Sequence, residues 1–184
     1  MIDHQRKIIM VHIPKTGGTS LKYAIWPEEE KTIHEVASRY DKSNWESYFT
    51  FAIVRNPYER LASQYVYHVK SNYKGFYLRK HPDLKKLSFE AYLNKFAKNH
   101  RYGFEPQLEF ITHAQSTVKL DFLGKFETYA KDATQILRKI NISVDLPRKN
   151  IGIKKDYSDI LSPDIKDLIF KYYEADFEAF DYKR

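Results

Sequence analysis

The sequence predicts an α/β fold, a small parallel β-sheet flanked by helices. Three observations carry this. Short, β-branched apolar runs recur at 7–13 (KIIMVHI), 48–54 (YFTFAIV) and 120–126 (LDFLGKF). Each is followed by apolar residues at helical spacing. Glycine or proline punctuates the junctions after the first two runs. Alternating strand and helix is the pattern of βαβ units, and nearly continuous apolar strands belong to sheets covered on both faces.

In chain order, the run Lys7–Ile13 reads as a buried strand that Pro14 ends. Lys15-Thr16-Gly17-Gly18-Thr19-Ser20 makes a small-residue loop, and Leu21, Ala24 and Ile25 open a helix that Pro27 stops. Residues 28–47 are polar and read as irregular. The strand Tyr48–Val54 ends at Arg55-Asn56-Pro57, where Pro57 suits a first helical turn and Leu61, Ala62, Tyr65, Val66 and Val69 continue an apolar stripe. Ser71–Lys86, with Gly75 and Pro82, reads as a long loop. Ser88 caps a helix near 89–99, and a short helix is expected at 106–113. After the strand Leu120–Phe126, residues Tyr129, Ala133, Ile136, Leu137 and Ile140 share one helical face. Residues 146–162 read as loop, and Ile165, Leu168, Ile169, Tyr172, Tyr173, Phe177 and Phe180 mark a last amphipathic helix.

The length of 184 residues suits one domain over 1–184, and 42% apolar with 30% charged residues is a globular mixture. The net charge of +7 favours anionic partners. The basic residues are scattered and match no nucleic-acid motif, so no nucleic-acid partner is expected. There is no cysteine, which excludes disulfides, thiolate catalysis and cysteine-ligated metals. The apolar run near the start is too short for a signal peptide or a membrane span, so a cytoplasmic protein is expected.

Two constellations carry chemistry. A loop between a strand and a helix aims backbone N–H groups at one point, and the helix dipole adds positive potential there. Gly17 and Gly18 let an anion approach the backbone, Thr16, Thr19 and Ser20 offer hydroxyls, and Lys15 offers a full charge. The pattern departs from the usual phosphate loop, in which the Lys follows the glycines. The second is Arg55, at the carboxyl end of the next strand, where open α/β sheets bind ligands; Ser63 follows eight residues later. An arginine fork fits a phosphate dianion. Two anion sites at neighbouring strand ends suit one ligand with two separated anionic groups.

Ile13–Ser20 (IPKTGGTS) resembles the 5'-phosphosulfate loop of carbohydrate sulfotransferases that use 3'-phosphoadenylyl sulfate (PAPS). Phe51–Ser63 (FAIVRNPYERLAS) resembles their 3'-phosphate motif, in the branch of heparan sulfate 2-O-sulfotransferases and small bacterial relatives. Phe122–Glu127 (FLGKFE) and Asp176–Tyr182 (DFEAFDY) resemble later segments of the same family. The resemblance implies a P-loop-like three-layer sandwich and a PAPS donor leaving as adenosine 3',5'-bisphosphate. It implies that Lys15, Thr16, Gly17, Gly18, Thr19 and Ser20 hold the 5'-phosphosulfate, that Arg55 and Ser63 hold the 3'-phosphate, and that Asn150 through Lys154 and Lys155 close over the nucleotide. A saccharide or glycan hydroxyl is the implied acceptor.

Sulfuryl transfer needs in-line geometry and stabilisation of a leaving phosphate oxygen, a role for Lys15 and the loop amides. No carboxylate cluster calls for a metal. The acceptor hydroxyl needs a base, and His34 is the candidate because a catalytic His precedes the corresponding strand in the resembling branch; the adjoining Glu35 is the second. His12 reads as a structural strand residue, and His68, His81, His100 and His113 as surface or helix residues without a role. Gln107, Arg101, Lys70 and Lys74 are expected to touch the acceptor. Two other readings stay open: a magnesium- and ATP-dependent kinase with an altered phosphate loop, and a non-catalytic module binding anionic glycans.

Overall fold

The computed structural model describes residues 1–71, 74–100, 103–116, 119–144 and 156–184. In chain order the elements are β1 (Ile2–Asp3), β2 (Ile8–Val11), α1 (Gly18–Ile25), α2 (Lys42–Ser47), β3 (Phe49–Val54), α3 (Pro57–Tyr65), α4 (Phe76–Lys80), α5 (Phe89–Tyr92), α6 (Gln107–Ile111), β4 (Phe122–Lys125), α7 (Tyr129–Lys139) and α8 (Pro163–Ala179). They fall into two compact units, Met1–Arg55 with Gln107–Lys154, and Asn56–Pro106 with Lys155–Arg184.

The first unit holds the sheet, in the order β1-β2-β3-β4. The three strands expected from the sequence pair in parallel, with Ile8 opposite Phe49 and Phe51 opposite Phe122. The fold is thus α/β, a small and mostly parallel sheet flanked by helices. Beyond the expectation, β1 adds an antiparallel edge, Ile2 opposite Ile9. Two residues are too few to leave a periodic signal, and the stretch reads as a polar lead-in. Alternate strand residues Ile8, Met10, Phe51 and Ile53 pack against Leu21 and Ile25 of α1 and Tyr129, Ala133, Ile136 and Leu137 of α7. Ile9, Val11, Ala52 and Val54, on the opposite face, are buried as well, as the uninterrupted apolar runs require. Asp121 fixes the start of β4 on β3, its carboxylate accepting from both the N–H and the hydroxyl of Thr50 at 2.7 and 3.0 Å.

The stretch 28–47 is less irregular than its composition suggests, because α2 forms around a buried Trp45. One apolar anchor is enough to order a polar segment once a neighbouring element offers a cavity for it.

The second unit is helical. α3 starts on Asn56, whose side chain accepts from the N–H of Tyr58, with Pro57 in the first turn. It runs on as a widened π turn, Val66–Lys70. Residues 71–86 are not a single loop: α4 and a 3-10 helix, Pro82–Lys86, occupy much of the stretch, anchored by buried Tyr77 and Leu84. Gly75 and Pro82 start these pieces rather than prevent them. Ser88 caps α5 through its hydroxyl, and the helix continues as a second π turn, Leu93–Ala97. α8 is capped by Ser162 and broken at Tyr173, whose hydroxyl reaches the carbonyl of Phe104 at 2.6 Å. This core is rich in rings, with Tyr65, Tyr77, Phe89, Tyr92, Phe96, Phe104, Tyr173 and Phe177 in one cluster. Among the described residues no helix is long and apolar enough to cross a membrane.

Candidate active site

The carboxyl ends of β2 and β3 lie side by side, because the two strands are parallel and in register. The loop after β2 departs from ordinary backbone twice. Lys15 takes φ 69° and Gly17 φ 82°, both left-handed. A non-glycine residue in that region is strained and marks a position held by its surroundings. The hydroxyl of Thr16, buried within the loop, donates to the carbonyl of Ile13 at 2.9 Å and closes the turn. α1 then opens at Gly18, so the N–H groups of its first turn belong to Gly18, Thr19 and Ser20.

The glycines have a packing reason beyond the access expected of them. A Cβ on Gly18 falls 2.2 Å from the ring of His12. A Cβ on Gly17 falls 2.8 Å from Tyr129 and 3.0 Å from Phe126, in addition to the cost of its positive φ. Three rings wall the loop, and the sequence reading places none of them in the site. Tyr129 secures the loop from the start of α7: its hydroxyl donates to the carbonyl of Gly17 at 3.0 Å. Burial pushes that hydroxyl's pKa up to about 12, against the opposing effect of hydrogen bonds with the N–H of Leu21 and the side chain of Ser20. A signal for Tyr129 and Phe126 exists in the sequence, since both follow the end of the third strand, at the same edge as Lys15 and Arg55.

Arg55 directly follows β3 and is largely buried. Its Nη1 donates to the carbonyl of Lys15 at 3.3 Å, and its guanidinium carbon lies 4.3 Å from the centre of the Phe126 ring. Gln107 grips its backbone: the N–H of Arg55 donates to Oε1 at 2.8 Å, and Nε2 donates to the carbonyl of Arg55 at 2.8 Å. With 0% exposure and both ends of its carboxamide on Arg55, Gln107 holds the strand end.

His34 is exposed, and its Nδ1 lies 2.8 Å from the carbonyl of His12. A carbonyl only accepts, so Nδ1 carries the hydrogen and the neutral ring has its lone pair on Nε2. The two histidine rings are 4.4 Å apart and tilted by 55°. His12 itself, directly after β2, is buried, and burial, with help from His34, the terminal amine and Lys22, holds its pKa well below the usual range. Glu35 is exposed. Of the histidines read as surface or helix residues, two are buried: His68, in the π turn, meets the hydroxyl of Tyr92 at 2.7 Å, and His113 the carbonyl of Tyr40 at 2.9 Å.

Ser63 sits half-buried on α3, and Lys70 and Lys74 are exposed, all within the second unit. Arg101, Asn150, Lys154 and Lys155 fall outside the described residues. Among the described residues no group of three or more His, Asp or Glu side chains is placed to hold a metal ion.

A loop amide cluster, a lysine, an arginine and a histidine gathered at one edge of a parallel sheet are equipped to bind an anionic donor and accept a proton. A sequence profile of the sulfotransferase family matches residues 1–183. The chain belongs to the sulfotransferase family. Among curated proteins it is similar to carbohydrate sulfotransferase 11 of Rattus norvegicus, 23% identical over an alignment 239 residues long. The alignment takes in 99% of this chain and 66% of the length of that relative. The glycine loop and the arginine strand end stand in the order that the motif resemblance requires.

Proposed function

We propose that the protein transfers the sulfuryl group of PAPS to a hydroxyl of a saccharide or glycan and releases adenosine 3',5'-bisphosphate. The observation that carries the reading is the 3.3 Å hydrogen bond from Arg55 Nη1 to the carbonyl of Lys15. It supports a reading in which a single nucleotide with two phosphate-bearing positions meets both expected anion sites at one sheet edge. The saccharide is supported by the motif resemblance and by the name of the rat relative, a carbohydrate sulfotransferase.

In this reading the 5'-phosphosulfate lies on the first-turn amides of α1, beside Thr16, Gly17, Gly18, Thr19 and Ser20, and Arg55 takes the 3'-phosphate. The acceptor oxygen attacks sulfur as the bond from sulfur to the bridging phosphate oxygen breaks. Charge then collects on the departing phosphate, where Lys15 and the amides stabilise it. The acceptor's proton passes to Nε2 of His34, the nitrogen left basic by the hydrogen bond to His12. Lys70 and Lys74 remain candidates for the acceptor side by charge, and Glu35 is the alternative base.

The donor is tested by thermal shift with adenosine 3',5'-bisphosphate and with 5'-ADP. The bisphosphate raises the melting temperature markedly more. Equal shifts overturn the role of Arg55, and magnesium-dependent ATP turnover favours a kinase. The acceptor is tested with labelled PAPS against a panel of sugars, glycans and simple alcohols. H34A abolishes transfer while leaving bisphosphate affinity within about threefold, since deleting a base removes a transition-state interaction alone.

A further inference from the structure

We infer that Phe126 is a positioning residue for donor recognition: its ring fixes the plane of the Arg55 guanidinium and at the same time backs the glycine loop at Gly17. The inference rests on the donor reading above and deepens it, by naming what makes the site select a 3'-phosphate.

Arg55 is held at both ends. Its backbone is gripped by Gln107 through two hydrogen bonds of 2.8 Å. Its guanidinium lies on Phe126, with the central carbon 4.3 Å from the ring centre. A guanidinium packed by its flat face on an aromatic ring keeps its N–H edge available, and that edge is what a phosphate dianion reads in two-pronged fashion. One such hydrogen, on Nη1, already points at the carbonyl of Lys15, so the fork is aimed along the loop.

The same ring limits the loop. Carbons of Phe126 stand 3.0 and 3.1 Å from where a Cβ of Gly17 would be. Phe126 opens the single 3-10 turn, Phe126–Thr128, that joins β4 to α7. Tyr129, directly after that turn, bonds the Gly17 carbonyl. β4 pairs with β3 up to Val54 opposite Lys125, which places Phe126 one residue past the last pair, as Arg55 is on its own strand. Register therefore brings the ring beneath the guanidinium, and a ring is needed there because an aliphatic side chain offers neither the flat surface nor the negative face that orients a cation.

The test compares the wild type with F126L, F126Y, R55K and F126L/R55K, titrated calorimetrically with adenosine 3',5'-bisphosphate and with 5'-ADP. F126L keeps apolar bulk against Gly17 and loses the ring. It weakens bisphosphate binding by about 2- to 30-fold, the size of a cation–ring contact, while 5'-ADP affinity stays within about twofold. F126Y restores most of the bisphosphate affinity. R55K, which keeps the charge and loses the flat fork, reproduces the loss with Phe126 in place. The double variant is little weaker than R55K. F126M replaces F126L in the comparison should F126L not fold. Equal weakening of both ligands by F126L, unchanged binding of both, or fully additive losses in the double variant overturn the inference while leaving the donor reading intact. A wild type that binds the two nucleotides equally overturns the donor reading, and the inference with it, before any variant is examined.

Discussion

Arg60 and Asp176 face each other with their charged groups 3.9 Å apart, and neither side chain reaches solvent. Arg60 also donates to the carbonyls of Gly103 and Glu105, each at 3.0 Å. The arginine belongs to the segment read as a 3'-phosphate motif and the aspartate to the segment read as the family's usual ending. Inside the second unit the two segments serve one structural purpose, because a single buried cation gathers α3, α8 and the turn at 103–105. Removing one partner of such a pair leaves a charge in a medium that cannot solvate it. D176A is expected to lower the unfolding free energy by about 3–5 kcal/mol in urea denaturation, whereas R60M/D176L costs less than the sum of the two single changes.

Gly18 and His12 are competitors for one volume. G18A forces the new methyl into the imidazole and is expected to destabilise by about 1–3 kcal/mol, an overpacking cost. In an H12A background the same change costs less, because the ring that it strikes is gone. Chemical denaturation of the four proteins of this cycle reads the coupling directly; strict additivity would contradict the contact.

His12 also gives the stability a pH dependence. Its pKa in the fold is held well below the usual value by burial. Above the unfolded chain's histidine pKa of about 6.5, both states are neutral at this site and its contribution is constant. As pH falls below that value the unfolded chain takes up a proton that the fold refuses, so stability declines towards the folded pKa, by at most about 1.4 kcal/mol per pH unit. Unfolding free energies at about pH 7 and about pH 5.5, on either side of the unfolded value, are expected to differ more for the wild type than for H12Q.

Gln107 is expected to be sensitive in a specific way. Q107A leaves the buried N–H and carbonyl of Arg55 without their partner and costs about 1–3 kcal/mol. Since the strand end then loses its anchor, bisphosphate affinity falls with it, while 5'-ADP affinity falls less. Calorimetry on the folded variant separates the two effects.

Much of this architecture is legible in the sequence because it rests on local signals. β2, β3 and β4 announce themselves as apolar runs, and Pro57 and Ser88 mark helix starts through local chemistry that needs no tertiary information. The loop and Arg55 are legible for the same reason: a strand end is a place in the chain before it is a place in space. What is not legible depends on long-range contacts. His68 and His113 look polar and are buried, because Tyr92 and the carbonyl of Tyr40 meet them across 24 and 73 positions. The clasp of Gln107 on Arg55 is not legible because the two lie 52 residues apart. Phe126 and Tyr129 look like core, which they are, and the sequence does not say that the core they join is the back wall of the loop.

The clasp between Arg55 and Gln107 bears on how this fold tolerates change in length. The chain departs from the sheet unit after one of these residues and rejoins it at the other, and they are bonded to each other through two hydrogen bonds. Departure and return therefore share a single doorway. Whatever the excursion between them contains, β3 and the base of the loop experience the same two tethered ends. Closure entropy grows only slowly with the number of residues enclosed. An insertion at an exposed point of 56–106, away from Arg60 and the ring-rich core, therefore leaves the end of β3 and the base of the loop between the same two tethers.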